Sequence, residues 1–183
     1  LISYYPTSTL KQIATYQNNY AEGLTLNYFP NGRTISSEEN FVAGKSEGKY
    51  TSYYPIGTKE TEGTNVKGIK QGICKNYYES GNLAMEAPYN QGDLDGKATS
   101  YFENGNKKGE FYYSRGKKEG RYTIYYENGN KREENEVDNV LQTEYKKLYF
   151  QTGIKSAEQS WKGLDKQGLR KYYYQTGMDS VQQ

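Results

Sequence analysis

The sequence predicts an all-β protein, an elongated single-layer antiparallel meander of stacked β-hairpin repeats. Three observations support this prediction. A pair of aromatic residues recurs about every 24 residues, and glycines recur at two fixed offsets from that pair. The segments between the glycines are too short to form stable helices. Recurrence at a fixed period of this length is the sequence signature of a repeat array.

The aromatic pair sets the period. Its members are Tyr4-Tyr5, Tyr28-Phe29, Tyr53-Tyr54, Tyr77-Tyr78, Tyr101-Phe102, Tyr125-Tyr126, Tyr149-Phe150 and Tyr173-Tyr174. Every successive spacing is 24 residues except one of 25, between Tyr28 and Tyr53. We therefore expect one array over 1–183, with units 4–27, 28–52, 53–76, 77–100, 101–124, 125–148 and 149–172 and a partial unit 173–183.

Two glycine columns mark the predicted turns. The first column follows the aromatic pair in PNG, ENG, ESG and QTG phrases and contains Gly32, Gly57, Gly81, Gly105, Gly129, Gly153 and Gly177. These phrases favour three-residue hairpin loops, in which a type I turn precedes a left-handed glycine. The second column contains Gly23, Gly48, Gly72, Gly96, Gly120 and Gly168, and a second, weaker turn signal lies in the phrases VAGKSEG, VKGIKQG, YNQGDLDG and YSRGKKEG. Each unit is therefore predicted to run strand, turn, strand, turn.

The unit at 125–148 departs most from the pattern. It has Glu144 where the second column has glycine, and its second half reads VDNVLQTE. A bulge, a kink and a partner contact are alternative explanations that the sequence leaves open.

The composition indicates a thin sheet. Leu, Ile, Val and Phe make up about 15% of the chain, a content typical of disorder, but the chain also carries 22 tyrosines and a net charge of only +2. Tyrosine rings must therefore supply much of the apolar surface, and each buried hydroxyl needs a partner. Two strands per unit would advance the sheet by roughly 10 Å, or about 70 Å over seven units.

The first aromatics of the pairs form a candidate ladder for partner binding or for structure. Its members are Tyr28, Tyr53, Tyr77, Tyr101, Tyr125 and Tyr149. Because strand residues alternate between faces, the second aromatics are expected on the opposite face. The first role expected of these rings is structural, because rings at fixed strand positions stabilise such a sheet through contacts with neighbouring units. Exposed tyrosine also suits a binding surface.

The sequence shows no enzymatic motif. Histidine is absent, and neither a protein-kinase catalytic loop nor a GxxxxGK[ST] phosphate loop occurs. Cys74 lies at a strand position that other units fill with Thr25, Tyr50, Ala98 or Tyr122, so we expect a structural role for it. We predict no catalysis, no cofactor and no metal. The compartment stays open: the chain is expected to be either cytoplasmic or exported with its signal segment outside this sequence.

Charge gives little guidance on partners. Basic residues are densest between Lys107 and Arg132, but glutamates are interleaved with them, which favours solvated cross-strand pairs and argues against nucleic acid. A protein partner is the first expectation. A lipid or glycan surface of the cell envelope is the alternative, and self-association through sheet edges is a further one.

The phrases YFPNGR, YYESGN, YFENGNKKGEFYYSRGKKEG, YYENGNK and YFQTGIK resemble the MORN repeat, specifically its longer bacterial variant. The resemblance covers essentially the whole chain. It implies a twisted sheet of hairpins that acts as an interaction scaffold. Proteins with the bacterial variant are often labelled as antitoxin components, which implies an antitoxin-type role as one form of that scaffold.

Overall fold

A computed structural model describes residues 1–138, 142–162, 168, 170–176 and 179–180, and all the regular structure in this part of the chain is β-strand. The described residues contain no helix that could cross a membrane. The strands fall into two compact units, Leu1–Gly96 and Lys97–Gln183.

The first unit contains nine short strands. Their bounds are β1 Ile2–Tyr4, β2 Leu10–Gln17, β3 Tyr20–Tyr28, β4 Ile35–Val42, β5 Lys45–Tyr53, β6 Lys59–Val66, β7 Ile69–Tyr77, β8 Leu83–Asn90 and β9 Asp93–Leu94. Each strand pairs antiparallel with the next one along the chain, from β1 to β9.

The second unit repeats this arrangement. Its strands are β10 Gly96–Tyr101, β11 Lys107–Ser114, β12 Lys117–Tyr125, β13 Lys131–Asp138, β14 Thr143–Tyr149, β15 Lys155–Lys162, β16 Arg170–Tyr173 and β17 Asp179–Ser180. Strands β11 to β17 pair antiparallel in sequence order. The predicted all-β meander of repeated hairpins is confirmed.

The loops that follow the aromatic pairs from Tyr53-Tyr54 to Tyr149-Phe150 have the predicted conformation. Gly57 has φ +92° and donates its N–H to the carbonyl of Tyr54, and the N–H of Tyr54 in turn donates to the carbonyl of Thr58. These bonds close a three-residue loop on a left-handed glycine. The described members of the first glycine column all have positive φ: Gly32, Gly57, Gly81, Gly105, Gly129 and Gly153. Gly177 lies outside the described residues.

The single 25-residue spacing is explained by one loop. In the other units the N–H of the second aromatic donates to a carbonyl four residues on, as from Tyr54 to Thr58, but Phe29 donates to Thr34, five residues on. Arg33 is the added residue. The Asn31 side chain accepts the N–H groups of Arg33 and Thr34, both at 3.0 Å, so the longer loop is hydrogen-bonded internally.

The second turn is sharper than the sequence suggested. Its central residues both have positive φ, as at Ala43 (+47°) and Gly44 (+77°), which is the type I′ turn of two-residue hairpins. The same pattern recurs at Lys67-Gly68, Gln91-Gly92 and Arg115-Gly116. The glycine of this turn stands four residues before the second column, within the phrases that carry the weaker turn signal.

The second glycine column lies beside this turn, in a β-bulge. Between the pairs Glu39–Tyr50 and Phe41–Ser46, strand β5 has two more residues than β4, and Gly48 lies in this stretch with φ +87°. Strands β13 and β14, which carry Glu144 at this position, pair from Asn135–Lys146 to Asp138–Thr143 without a shift. Glu144 therefore lies opposite Val137 in a regular ladder, with no bulge at this position.

The buried interior is thin and made of small side chains. The buried apolar residues among those described are Ala14, Cys74, Ala87, Ala98 and Ala157. Tyr50 lies beside this layer, and its hydroxyl donates to the Cys74 sulfur at 3.3 Å. Gly63 makes this arrangement possible, because a Cβ there would stand 2.7 Å from the Cys74 Sγ and from the Tyr50 hydroxyl oxygen.

Candidate binding face

One row of directly opposed residues crosses the strands of each unit, and glutamate recurs in it every second strand. We call it the glutamate row. In the first unit it runs through Glu38, Thr51, Glu62, Lys75 and Glu86. In the second unit it runs through Glu110, Thr123, Glu134, Lys147, Glu158 and Lys171. Since opposed residues in a sheet point to the same side, each row lies on one face.

The first-aromatic tyrosines bind these glutamates. Tyr77 donates its hydroxyl to Glu62 at 2.5 Å, and Tyr125 donates to Glu110 at 2.7 Å. Tyr149 donates to Glu134 in the same way. Each tyrosine reaches a glutamate fifteen residues earlier in the chain. Because these rings are half-buried, each hydroxyl needs a hydrogen-bond partner, and the ionised glutamate provides it.

Lysines complete each cluster. Lys59 lies 2.8 Å from Glu62, Lys107 lies 2.8 Å from Glu110, and Lys155 lies 2.9 Å from Glu158. Glu110 also accepts from Lys97 at 3.1 Å. The repeating group on this face is therefore a tyrosine, a glutamate and a lysine, with the glutamate accepting from the other two.

These contacts shift the pKa values in opposite directions. Burial alone raises the pKa of Glu110, but the hydrogen bonds from Lys107, Tyr125 and Lys97 outweigh it and bring the pKa to about 2. Burial and then the hydrogen bond to Glu62 raise the pKa of Tyr77 to about 12. The carboxylates of these clusters therefore stay ionised and the phenols stay neutral over the physiological range.

The second aromatics have a different partner. Tyr5, Tyr54 and Tyr126 donate their hydroxyls to the backbone carbonyls of Tyr28, Tyr77 and Tyr149, at 2.6, 2.8 and 2.8 Å. The expectation of opposite faces assumed strict alternation, but a register shift falls at the first aromatic, as between Ser52 and Tyr53. The two ladders therefore differ in their hydrogen-bond acceptors. Tyrosines of the first ladder donate to glutamate side chains, and tyrosines of the second donate to backbone carbonyls of the next repeat.

The candidate tyrosines are all half-buried in the described structure: Tyr28, Tyr53, Tyr77, Tyr101, Tyr125 and Tyr149. Tyr77, Tyr125 and Tyr149 take part in the clusters described above. The glutamates of these clusters were not among the predicted site residues. A signal for them was present, because Glu38, Glu62, Glu86, Glu110, Glu134 and Glu158 recur every 24 residues.

Shallow cavities lie on the same face at equivalent positions. In the first unit, a cavity of about 270 Å³ lies among Lys49, Thr51, Glu62, Ile73 and Lys75. In the second unit, a cavity of about 140 Å³ is lined by residues that include Arg121, Thr123, Glu134, Tyr145 and Lys147.

Another cavity of the second unit, of about 220 Å³, is lined by residues that include Tyr145, Lys147, Glu158, Ser160 and Lys171. Tyr145 and Lys147 of β14 line both of these cavities, which therefore lie side by side across β12 to β16. We call this pair of cavities the β12–β16 groove.

Groups that could hold a metal, meaning three or more clustered acidic, histidine or cysteine side chains, do not occur among the described residues. The glutamates of the row are instead separated by threonine or lysine and engaged by tyrosine and lysine. The face offers ionised carboxylates, ammonium groups and partly exposed rings, which are groups suited to recognition of another molecule's surface.

Comparison with known proteins agrees with the repeat structure. The model of the MORN repeat variant matches residues 1–18, 70–91, 94–115 and 118–139, and the last three segments begin 24 residues apart. A search of curated proteins finds no matching relative. In these four segments the chain is therefore similar to the MORN repeat variant.

Proposed function

We propose that this protein is a non-enzymatic repeat scaffold that binds another protein through the face of the glutamate row. The observation that carries the proposal is the recurrence of equivalent cavities on this face, each lined by a row glutamate, a row lysine and neighbouring side chains. A surface that repeats its side chains in register can contact an extended partner at several points. The binding free energy then comes from the sum of several modest contacts and not from one deep pocket.

The polar groups on this face support recognition rather than chemistry. Glu62 and Glu110 each accept from a tyrosine and a lysine, so neither is poised as a general base. The pKa of Glu110, about 2, lies far below the range useful for proton transfer near neutral pH. These carboxylates orient the tyrosine rings that a partner would contact.

The resemblance to antitoxin-labelled proteins makes a toxin the first class of partner to test. A scaffold would neutralise such a partner by covering its surface, with no reaction needed. This finer role rests on the resemblance, whereas the face itself supports only the binding of a protein.

Site-specific crosslinking tests the proposal. A photoreactive phenylalanine analogue placed at Tyr145, in the β12–β16 groove, is expected to trap one defined partner in cells of the source organism. The same analogue at Lys117, an exposed position beside the Arg115–Gly116 turn, is the control and is expected to trap none. Equal trapping at both positions, or catalytic turnover by the purified chain that a point change abolishes, would overturn the proposal.

A further inference from the structure

The β12–β16 groove has a repeat distance that restricts what can lie in it. Its two cavities are related by one 24-residue repeat, as Thr123, Glu134 and Lys147 in one correspond to Lys147, Glu158 and Lys171 in the other. One repeat is two strands wide. Adjacent strands lie about 4.8 Å apart, so equivalent points in the two cavities are separated by about 10 Å.

A polyproline II helix matches this distance. It has three residues per turn and rises about 3.1 Å per residue, so every third side chain returns to the same side after about 9 Å. A β-strand also advances about 10 Å in three residues, but its side chains alternate, so the third residue faces away. Grooves lined by aromatic residues are a known setting for polyproline II ligands.

The charges of the groove favour an acidic ligand. Lys147 and Lys171 lie on either side of Glu158 in the row, one repeat apart. Glu158 also accepts from Lys155 at 2.9 Å, and its distance to Lys171 is 3.8 Å. Lys147 forms no direct ion pair within the described part of the chain and is exposed, and the Lys171 side chain is 61% exposed.

The second cavity is mainly positive, with Lys146, Lys147 and Lys171 against Glu158, whereas Arg121 and Lys147 balance Glu134 and Glu136 in the first. Arg121 lies beside the first cavity, with its guanidinium 5.2 Å from the ring centroid of Tyr112. Over the second unit as a whole, 97–183, the sequence has 16 Lys and Arg residues against 12 Asp and Glu residues. The two row lysines are therefore available to carboxylates presented about 10 Å apart, in surroundings that attract negative charge.

We propose that the β12–β16 groove binds an acidic segment of a partner protein in the polyproline II conformation, with Asp or Glu at every third residue. Successive carboxylates pair with Lys147 and Lys171, and the residues between them pack on the exposed ring of Tyr145. This inference rests on the proposed scaffold function and specifies the partner's chemistry. The inference requires acidic residues at every third position, whereas general attraction between opposite charges would not depend on their spacing.

Fluorescence anisotropy with synthetic peptides tests the register. The probe is a labelled twelve-residue peptide of four Glu-Pro-Pro triplets, and its control has the same composition with the four Glu residues contiguous. We expect the regular peptide to bind the full chain at least tenfold more tightly. A Lys-Pro-Pro analogue is expected not to bind. Equal affinity for the regular and the clustered peptide would overturn the inference, as would tighter binding of a single-stranded oligonucleotide of equal charge.

Variants test the residues. Lys147→Ser and Tyr145→Ser are each expected to weaken binding of the regular peptide about tenfold, while Lys117→Ser, which removes one exposed charge outside the groove, changes it less than twofold. Unfolding curves establish that each variant is folded. If Tyr145 crosslinks a partner protein but the regular peptide shows no preference, the inference fails and the scaffold function stands. If the peptide binds in register but no protein is trapped, the scaffold function fails instead.

Discussion

The Tyr54 hydroxyl donates a 2.8 Å hydrogen bond to the backbone carbonyl of Tyr77, twenty-three residues further along the chain. It ties the loop end of one hairpin to the loop end of the next. A second bond accompanies it, from the Thr58 hydroxyl to the carbonyl of Glu79 at 2.9 Å. The hairpins of each unit are therefore joined through their loops as well as through strand pairing.

Removing the Tyr54 hydroxyl should weaken the contact between the two loops without disturbing the packing of the Tyr54 ring. Tyr54→Phe is expected to lower the free energy of unfolding by about 1 kcal/mol, since one partly buried hydrogen bond is lost while the ring remains. Phe29, Phe102 and Phe150 occupy the same column, so the ring alone is compatible with the fold. Urea unfolding measures the change. Tyr4→Phe, at a tyrosine that is 60% exposed, is the control and should change stability by less than half as much.

The bond between Tyr125 and Glu110 should show up as a coupling energy. Tyr125→Phe and Glu110→Ala are each expected to destabilise the chain by at least about 1 kcal/mol, and the double variant by less than their sum, because both remove the same hydrogen bond. A double-mutant cycle from urea unfolding checks this. Strictly additive effects would show that the two side chains act independently.

Acid should destabilise the protein through Glu110. Its pKa is about 2 in the folded chain, against an ordinary value of 4.5, so its stabilising contribution is present above about pH 4.5. That contribution is lost as the pH falls from about 4.5 through 2. Unfolding free energies measured across this range should fall less steeply for Glu110→Gln. An unchanged pH dependence in that variant would refute the assignment to Glu110.

Glycines of two kinds should respond differently to alanine. At Gly48 nothing lies within 4 Å of an added Cβ, so Gly48→Ala carries only the strain of φ +87° and should cost about 1–2 kcal/mol. At Gly63 the added Cβ would meet the Tyr50 hydroxyl oxygen and the Cys74 Sγ at 2.7 Å, so Gly63→Ala must displace the Tyr50 ring. Faster reaction of the buried Cys74 thiol with a thiol reagent is therefore expected for Gly63→Ala and not for Gly48→Ala.

The longer loop at Arg33 provides a test of the turn assignment. Deleting Arg33 leaves Pro-Asn-Gly followed by Thr, which matches the three-residue loop Pro55–Gly57 followed by Thr58, so we expect the chain to fold with a stability change of less than about 1 kcal/mol. Deleting Ile56 instead shortens a loop that has no residue to spare, and we expect a loss of at least about 2 kcal/mol. Thermal and urea unfolding compare the two deletions.

Several features could be predicted from the sequence because they are local. The aromatic period fixed the number of hairpins, and the first glycine column fixed the loop type, since a left-handed residue after a type I turn favours glycine whatever surrounds it. The type I′ turns at Ala43-Gly44 and its equivalents were also readable as a residue followed by glycine. Turns were predicted in the phrases that contain these residues, but their type and central residues were not assigned.

The candidate face could be predicted only in part. The tyrosines were identified from their spacing, but the glutamates that bind them were not, although they recur with the same period. Tyr125 and Glu110 stand fifteen residues apart and meet because strands β11 and β12 pair in a register that puts Glu110 opposite Thr123. That register depends on the bulge between Phe111 and Tyr113, whose position along the strands a one-dimensional period does not specify.

The sequence by itself therefore determined the hairpin repeat, its loops and the all-β class, because each depends on the backbone preferences of residues close together in the chain. The tertiary structure decided which side chains share a face: the tyrosine–glutamate–lysine clusters, the alignment of Lys147 with Lys171 and the groove between them. The physical reason is that side-chain neighbours in a sheet are set by strand register, and a shift of a single residue moves every side chain of a strand to the other face.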